Sequence, residues 1–305
     1  MNSAVKDKKR LIIIDSNSII HRAFHALPPL TTKKGELINA VYGFLLVFLK
    51  SIREFQPDYI VAAFDLPGPT FRHEKFKEYK ATRPETPAGI CEQLPKVKEI
   101  LKVFSVPVFE KEGFEADDII GTISRLSVAK ETAFQLEKIV LSGDLDILQL
   151  VDKDTKVYIL RKGVKDTVLY DENLVKEKYQ GLIPGKLVDF KALKGDPSDN
   201  IPGVKGIGEK TAVELLLKFG SLESLYEEIE KNSEKSKIVP ERIKDILIKG
   251  KEQAFLSKAL SQIEKQTPIN FQLGKCRWQG FDKEKAKEIF EKFEFYSLIN
   301  RLTEL

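Results

Sequence analysis

The sequence LIIID at residues 11–15 decides the fold. Four aliphatic residues in a row predict a short buried strand, and the run is too short for a signal peptide or a membrane span. A carboxylate, Asp15, follows where this strand ends. The stretch therefore predicts one strand of a sheet with an acidic side chain at its carboxyl end.

Similar aliphatic runs recur along the first half of the chain. They cover residues 59–65, 106–109 and 138–142, and amphipathic stretches separate them. Residues 39–55 have the length and apolar spacing of a crossover helix. This alternation predicts an α/β fold with a central, mostly parallel sheet flanked by helices.

The pattern changes after about residue 170, where Gly and Pro interrupt segments of helical character. We therefore predict an α/β core over residues 1–170 and a helical region over residues 171–305.

Acidic residues follow the predicted strands repeatedly. Asp15 and Asp65 each end a strand, Asp144 and Asp146 follow a third, and EADD at residues 115–118 opens a helix. Taken alone, Asp15 is better explained as a helix cap. Because the ligand crevice of such sheets lies beyond the carboxyl ends of the strands, we expect these acids to converge.

Such a cluster of carboxylates needs cations. Two charges about 4 Å apart repel by roughly 4 kcal/mol at an effective dielectric constant of about 20. Oxygen ligands without nearby His or Cys favour Mg²⁺ or Mn²⁺ over zinc. On a helical wheel Glu115 and Asp118 lie about 60° apart whereas Asp117 points elsewhere, so the convergence of Asp117 is an assumption.

Composition limits the classes of function. Lys and Arg number 50 against 46 Asp and Glu, so the net charge of +4 is too small to identify a nucleic-acid partner by itself. Residues 72–83 carry five cations against two anions, whereas residues 110–118 carry five acids and one lysine. A basic segment and an acidic pocket in one chain suit an enzyme that holds a polyanion against metal ions.

The two cysteines, Cys91 and Cys276, lie far apart and lack a C-x-x-C partner. They indicate neither a disulfide framework nor a thiolate zinc site. We expect reduced thiols and a cytoplasmic protein, with no membrane attachment.

A glycine-rich stretch, GVKGIGEKT at residues 203–211, resembles a phosphate-binding P-loop. Glu209 separates the last glycine from the lysine and no strand precedes the stretch, so the P-loop interpretation fails. The stretch better fits two helices joined by a hairpin whose backbone amides, with Lys205 and Lys210, bind a DNA phosphate. A tight structural turn is the alternative.

Together, these segments closely resemble the 5′ nuclease domain of bacterial DNA polymerase I and the related stand-alone flap endonucleases. The resemblance spans nearly the whole chain, from residue 11 to its end. Its carriers are LIIID at 11–15, RAFHAL at 22–27, FRHE at 71–74, YKATR at 79–83, GFEADD at 113–118, Asp144 with Asp146, and residues 195–212.

The resemblance implies a flap endonuclease core of the PIN-like type, an arch region over residues 71–104 and a helix-hairpin-helix over residues 195–219. It also implies a set of ligands for two or more divalent ions, Mg²⁺ or Mn²⁺. These ligands are Asp15, Asp65, Glu115, Asp117, Asp118, Asp144, Asp146, Asp196 and Asp199. A potassium ion held by backbone carbonyls of the hairpin is a further implication.

The resemblance also assigns roles to basic and aromatic residues. On an arch helix, Tyr79 would stack on a base while Lys80 and Arg83 place the scissile phosphate, a combination suited to single-stranded DNA. Lys80, Arg83 and Asp146 are the predicted catalytic residues. Further predicted DNA contacts are Arg22, Arg72, Gly203, Lys205, Gly206, Gly208, Lys210 and Thr211. His21, His25 and His73 are assigned to packing or phosphate contacts, not to metal binding.

We therefore predict a monomeric, metal-dependent 5′ nuclease of replication and repair that cuts 5′ flaps, nicks and 5′ ends of DNA. A non-catalytic reader of branched DNA is the main alternative. A phosphatase with an aspartate nucleophile would need D-x-D after the first strand, and Asn17 stands at its second position. Flap cleavage against exonuclease action, DNA against an RNA primer, and a stand-alone protein against a fragment stay open.

Overall fold

The computed structural model describes residues 8–127 and 134–305, so residues 1–7 and 128–133 of the predicted core lie outside it. The described residues form a six-stranded sheet of order β3-β2-β1-β4-β5-β6. Its strands are β1 (Lys8–Asp15), β2 (Tyr59–Ala63), β3 (Val108–Phe109), β4 (Gln135–Ser142), β5 (Thr155–Leu160) and β6 (Thr167–Tyr170). All neighbours pair in parallel except β5 and β6. The predicted mostly parallel sheet is confirmed.

Helices alternate with the strands in the first half of the chain and make up most of its second half. They are α1 (Ser16–Ala26), α2 (Asn39–Phe55), α3 (Phe71–Lys75), α4 (Ala88–Cys91), α5 (Leu94–Val103), α6 (Ala116–Leu126), α7 (Glu172–Lys178), α8 (Leu187–Lys194), α9 (Glu209–Phe219), α10 (Leu222–Glu230), α11 (Glu241–Lys249), α12 (Lys251–Ser261), α13 (Lys283–Lys292) and α14 (Tyr296–Leu302). Short 3₁₀ helices lie at Asp146–Leu150, Pro184–Lys186, Glu234–Ile238 and Leu273–Cys276. Within residues 8–127 and 134–305, no helix combines the length and the apolar character needed to cross a membrane.

Strand β1 is buried on both faces, which explains its unbroken aliphatic sequence. Ile12 and Ile14 pack in a core with side chains of α1, α2 and α5. Leu11 and Ile13 point to the opposite core, which α6 covers. The sheet is therefore the middle layer of an α/β sandwich, and its carboxyl edge is left for the site.

The helical region has a core of its own, to which α8, α9, α10 and α11 contribute Phe190, Leu216, Leu225 and Leu247. The predicted helical second region is confirmed, but its boundary at residue 170 stays a prediction. Helices α13 and α14 do not join this core. Their Phe290 and Leu298 pack into the core beneath the sheet, so the end of the chain returns to the α/β layer.

The predicted arch region, residues 71–104, contains no long helix. Between the short helices α3 and α4, residues 76–87 form turns and irregular chain. Helix α5 packs into the core through Val97, Ile100 and Leu101. The placement of Lys80 and Arg83 on an arch helix is therefore wrong, and Lys80 instead has a left-handed backbone with φ 56°.

Candidate active site

Parallel pairing places three strand ends side by side. Asp15 at the end of β1 lies opposite Ala63, two residues before Asp65. Ile14 lies opposite Leu141 near the end of β4. Asp15, Asp65 and Asp144 consequently lie at one edge of the sheet, where they line a cleft of about 420 Å³.

The cleft gathers most of the predicted ligands. Its acidic lining is Asp15, Asp65, Glu115, Asp117, Asp144, Asp146 and Asp199. An adjoining cleft of about 490 Å³ shares Asp144 and Asp146 and adds Asp196. Of the nine predicted ligands only Asp118 lines neither cleft.

Three of these acids, from two separate parts of the chain, come close together. One carboxylate oxygen from each of Asp146, Asp196 and Asp199 lies within 4.8 Å of the others. Asp146 opens the 3₁₀ helix after β4, whereas Asp196 and Asp199 lie in the loop after α8. A single ion can therefore be reached from both the α/β core and the helical region.

Hydroxyl groups orient the acids at the strand ends. Ser142 Oγ donates to Asp15 Oδ2 over 2.6 Å and accepts the backbone N–H of Asp144 over 2.9 Å. Asp15 also accepts the Ser18 N–H at the start of α1. Asp15 thus caps a helix and faces the cleft as well, so the two interpretations of this residue are compatible.

The start of α6 separates Asp117 from Asp118. Glu115 precedes the helix in an extended conformation, with φ −95° and ψ 162°. Asp117, in the first turn, lines the cleft, whereas Asp118 is completely buried on the other side. Both Asp118 oxygens accept from the Arg72 guanidinium, at 2.7 and 2.8 Å.

This ion pair corrects two predictions. Asp118 does not face the clefts that hold the other acids, because its oxygens are engaged by Arg72 and by backbone amides. Arg72 is only 2% exposed and also donates to the Leu260 and Gln262 carbonyls. Arg72 borders the cleft, but its guanidinium is held by Asp118 and these carbonyls, so the arrangement does not support its predicted contact with a DNA phosphate.

Burial and neighbouring carboxylates raise the pKa values of three acids in the cleft. Burial, with a smaller contribution from Asp65, raises the pKa of Asp15 to about 6. Burial and then Asp144 raise the pKa of Asp146 to about 6. The pKa of Asp117 rises well above its ordinary value because of burial and then Asp15 and Asp144. The site therefore favours the binding of positive charge, whether protons or cations.

Three basic side chains supply positive charge at the cluster. Lys80 Nζ lies 2.9 Å from Glu115 Oε1, and Arg83 pairs with Asp199. Lys191, which the sequence analysis missed, contacts both Asp146 and Asp196, the latter over 2.5 Å. Burial opposes the charge of Lys191, yet these two carboxylates raise its pKa above the ordinary value. At these carboxylates, metal ions would compete with the ammonium groups of Lys80 and Lys191 and with the guanidinium of Arg83.

Tyr79 does not offer the predicted stacking face. Its ring is 3% exposed and packs with Ile201 and Leu260. Its hydroxyl lies 3.2 Å from both Glu115 Oε2 and Asp199 Oδ2, to which it can donate. In this arrangement Tyr79 bridges two acids of the site instead of meeting a base.

The hairpin lies between α8 and α9, but one predicted contact is buried. The Gly203 N–H donates to Ser257 Oγ over 3.0 Å and is not free for phosphate. A Cβ at Gly203 would lie 2.2 Å from the Gly195 nitrogen, so this glycine permits close backbone packing. Lys205, Gly206, Gly208 and Lys210 are exposed and Thr211 is partly buried; their DNA contacts stay predictions.

Arg22 and two histidines line the same cleft. The Arg22 guanidinium donates to the Gly143 and Arg161 carbonyls, at 2.8 and 3.0 Å. His21 lies beside His25, and burial followed by that neighbour lowers the pKa of His21. His73 packs edge-on against the ring of Tyr79.

Comparison with known proteins identifies the family. Residues 10–180 match the family described as 5′-3′ exonuclease, N-terminal resolvase-like domain, and residues 182–284 match 5′-3′ exonuclease, C-terminal SAM fold. The chain belongs to the 5′-3′ exonuclease family. DNA polymerase I of Bacillus subtilis is 43% identical over 298 residues, which are 98% of this chain and 33% of that polymerase. The chain thus spans about a third of the length of this relative.

Solved structures of the same fold are more distant in sequence. The D15 flap endonuclease of bacteriophage T5, in a complex with DNA and metal ions, has a TM-score of 0.69 and 18% identity over 94% of this chain and 100% of its own. The catalytic core of Rad2 with a DNA substrate has a TM-score of 0.62 and 16% identity, covering 98% of this chain and 94% of its own. These likenesses support the fold.

The donor set fits hard divalent cations. The group of described side chains whose oxygens lie within 4.8 Å of one another consists of three carboxylates, without His or Cys. Oxygen-only sites of this kind suit Mg²⁺ and Mn²⁺. Asp146, Asp196 and Asp199 lie close enough together to hold one ion, and Asp15, Asp65, Glu115, Asp117 and Asp144 line the first cleft beside them.

Proposed function

We propose that the chain hydrolyses phosphodiester bonds at 5′ flaps, nicks and 5′ ends of DNA, leaving 5′-phosphates, with two or more Mg²⁺ or Mn²⁺ ions. The observation that carries the proposal is the meeting of carboxylates from three strand ends, α6 and the loop after α8 in adjoining clefts. A single capping or surface role explains one such acid but not their convergence.

A pair of divalent ions at this site would activate water and stabilise both the attacking and the leaving oxygen of an in-line displacement at phosphorus. The carboxylates hold and orient that charge. Lys80 and Arg83 pair with Glu115 and Asp199. When these acids bind ions instead, both cations become available to a DNA phosphate at the mouth of the cleft.

The helical region is the proposed duplex-binding part. Lys205 and Lys210 flank the exposed glycines of the hairpin, and the first amides of α9 lack intrahelical partners. Such amides and lysines bind phosphate without reading sequence. A potassium ion at the hairpin carbonyls would strengthen this grip.

The wider biological role is inferred from the family. We place the chain in the cytoplasm as a monomer acting in replication and repair, on DNA and on RNA-primed duplexes. Its relatives named DNA polymerase I are about three times longer than the part matched here.

The experiment is digestion of 5′-flap, nicked and RNA-primed duplexes, each carrying an internal label, with Mg²⁺ or with EDTA. We expect cleavage near the single-strand to duplex junction in Mg²⁺, 5′-phosphate products and no cleavage in EDTA. Comparing the three substrates ranks flap, nick and primer cleavage.

Tight binding of flap DNA without product in Mg²⁺ or Mn²⁺ would contradict the proposal. That outcome would instead favour the non-catalytic reader of branched DNA. Equal cleavage in EDTA would remove the metal from the mechanism.

A further inference from the structure

The last two residues of α12 and the irregular chain after them, residues 260–267, contact two elements that carry acids of the site, α6 and the 3₁₀ helix that begins at Asp146. We call this segment the strap. It begins where α12 ends and runs over α6, which carries Asp117, and over the 3₁₀ helix that Asp146 opens. A Cβ at Gly121 of α6 would lie 2.6 Å from Ile263 Cγ2, so the strap approaches the helix closely.

Arg72 ties the strap to α6. Its Nε donates to the Leu260 carbonyl and its Nη2 to the Gln262 carbonyl, both over 2.9 Å. The same guanidinium holds both oxygens of Asp118. Only the planar fork of arginine presents donors in these directions at once, and lysine cannot replace it geometrically.

Asp118 connects Arg72 and the strap to the proposed metal ligands near it in sequence. One of its oxygens accepts the Glu115 N–H over 3.0 Å, and the other accepts the Glu264 N–H of the strap over 2.8 Å. Glu115 and Asp117 precede Asp118 by three residues and one residue. Fixing Asp118 therefore fixes the first turn of α6 and the direction of both neighbouring carboxylates.

Gln149 ties the strap to the other side. Its Nε2 lies 3.1 Å from both the Ser261 and the Asp146 carbonyl oxygens, and its Oε1 accepts the Ile263 N–H over 3.0 Å. One amide side chain thus connects the strap to the turn that carries Asp146. The contacts of Arg72 and Gln149 alternate along residues 260–263.

We infer that the strap sets the separation between the ligands on α6 and those on the 3₁₀ helix, with Arg72, Asp118 and Gln149 as positioning residues for the ions. This inference rests on the proposed metal site. Carboxylates on the two elements repel each other before ions enter, and the hydrogen bonds from the strap to both elements oppose a change in their separation.

The test measures metal binding without DNA. Free Mn²⁺ is followed by electron paramagnetic resonance in titrations of the parent chain, Arg72→Lys and Gln149→Ala. Because loss of a group that orients metal ligands costs about 10- to 100-fold in affinity, we expect Mn²⁺ dissociation constants to rise by that factor in both variants. The Mg²⁺ concentration for half-maximal flap cleavage should rise similarly, while the rate at saturating Mg²⁺ stays near the parent value.

Arg125→Met is the matched control. Arg125 also donates to the strap, through Nε to the Lys265 carbonyl, but it lies at the last turn of α6, away from the acids. We expect its Mn²⁺ affinity to equal that of the parent. An equal loss of affinity in Arg125→Met would overturn the inference, because general loosening would then explain all three variants.

Other outcomes separate this inference from neighbouring ideas. Unchanged Mn²⁺ affinity in Arg72→Lys and Gln149→Ala would overturn it, even if urea unfolding showed lower stability. Weaker metal-free DNA binding by Arg72→Lys, with its Mn²⁺ affinity intact, would overturn it in favour of a phosphate contact that needs the guanidinium. If Arg72→Lys fails to fold, Gln149→Ala decides. Should the parent bind Mn²⁺ but cleave nothing, the proposed function fails while the titrations still test the strap.

Discussion

Asp146→Asn is expected to lower single-turnover cleavage of a 5′ flap at least about a thousand-fold, or about 4 kcal/mol of activation free energy. Asp146 contributes to the three-carboxylate group and also pairs with Lys191. Asparagine keeps the shape but removes the charge that an ion needs. Rapid-quench kinetics at saturating enzyme would measure the loss.

DNA binding should survive this change. Removing a negative charge from the cleft reduces repulsion of the phosphate backbone, so fluorescence anisotropy in Ca²⁺ should show equal or tighter binding. Asp152→Asn is the control, because Asp152 is exposed just beyond the same 3₁₀ helix. Parent-like turnover by Asp146→Asn would remove this residue from the catalytic set.

Lys80→Ala is expected to slow the chemical step about a hundred-fold, the lower range for losing one preorganised donor at a transition state. The Lys80 N–H donates to the Asp199 carbonyl over 2.9 Å, which holds its left-handed backbone and directs the side chain to Glu115. Single-turnover rates on a flap substrate measure the effect.

Lys77→Ala is the matched control for this segment. Lys77 is exposed in the same turn, so its removal should change DNA affinity slightly and the chemical step not at all. Equal single-turnover rates for Lys80→Ala and the parent would show that Lys80 only balances charge in the ion-free site.

Local pattern was enough to predict β1 to β4 and the acids that follow three of them, whereas β5 and β6 were not predicted. The aliphatic pattern that predicts the LIIID strand and its neighbours lies within a few adjacent residues. Parallel pairing of these strands then brings the acids at their ends to one edge of the sheet. The wheel argument at α6 failed because Glu115 lies before the helix in an extended conformation. Asp117 consequently faces the cleft while Asp118 turns away from it.

The burial of other residues depends on contacts between parts of the chain that are far apart in sequence, and local sequence patterns do not show these contacts. Arg72 and Tyr79 are a basic and an aromatic residue of a DNA-binding type, but contacts with residues 46 to 190 positions away bury them. Gly203 likewise serves backbone packing. Lys191 had one available signal, its place on the helix just before the loop with Asp196 and Asp199.

The central requirement is that the clustered acids bind paired divalent ions, and a Mn²⁺ titration at pH 8 and pH 5 tests it most directly. Asp15 and Asp146 have pKa values of about 6, so both are ionised at pH 8 and mostly protonated at pH 5. Protons and ions compete for the same oxygens, which weakens affinity roughly tenfold per such group at pH 5. We expect at least two Mn²⁺ per chain at pH 8 and much weaker binding at pH 5. Fewer than two ions at pH 8, or an affinity that does not change with pH, would contradict the account.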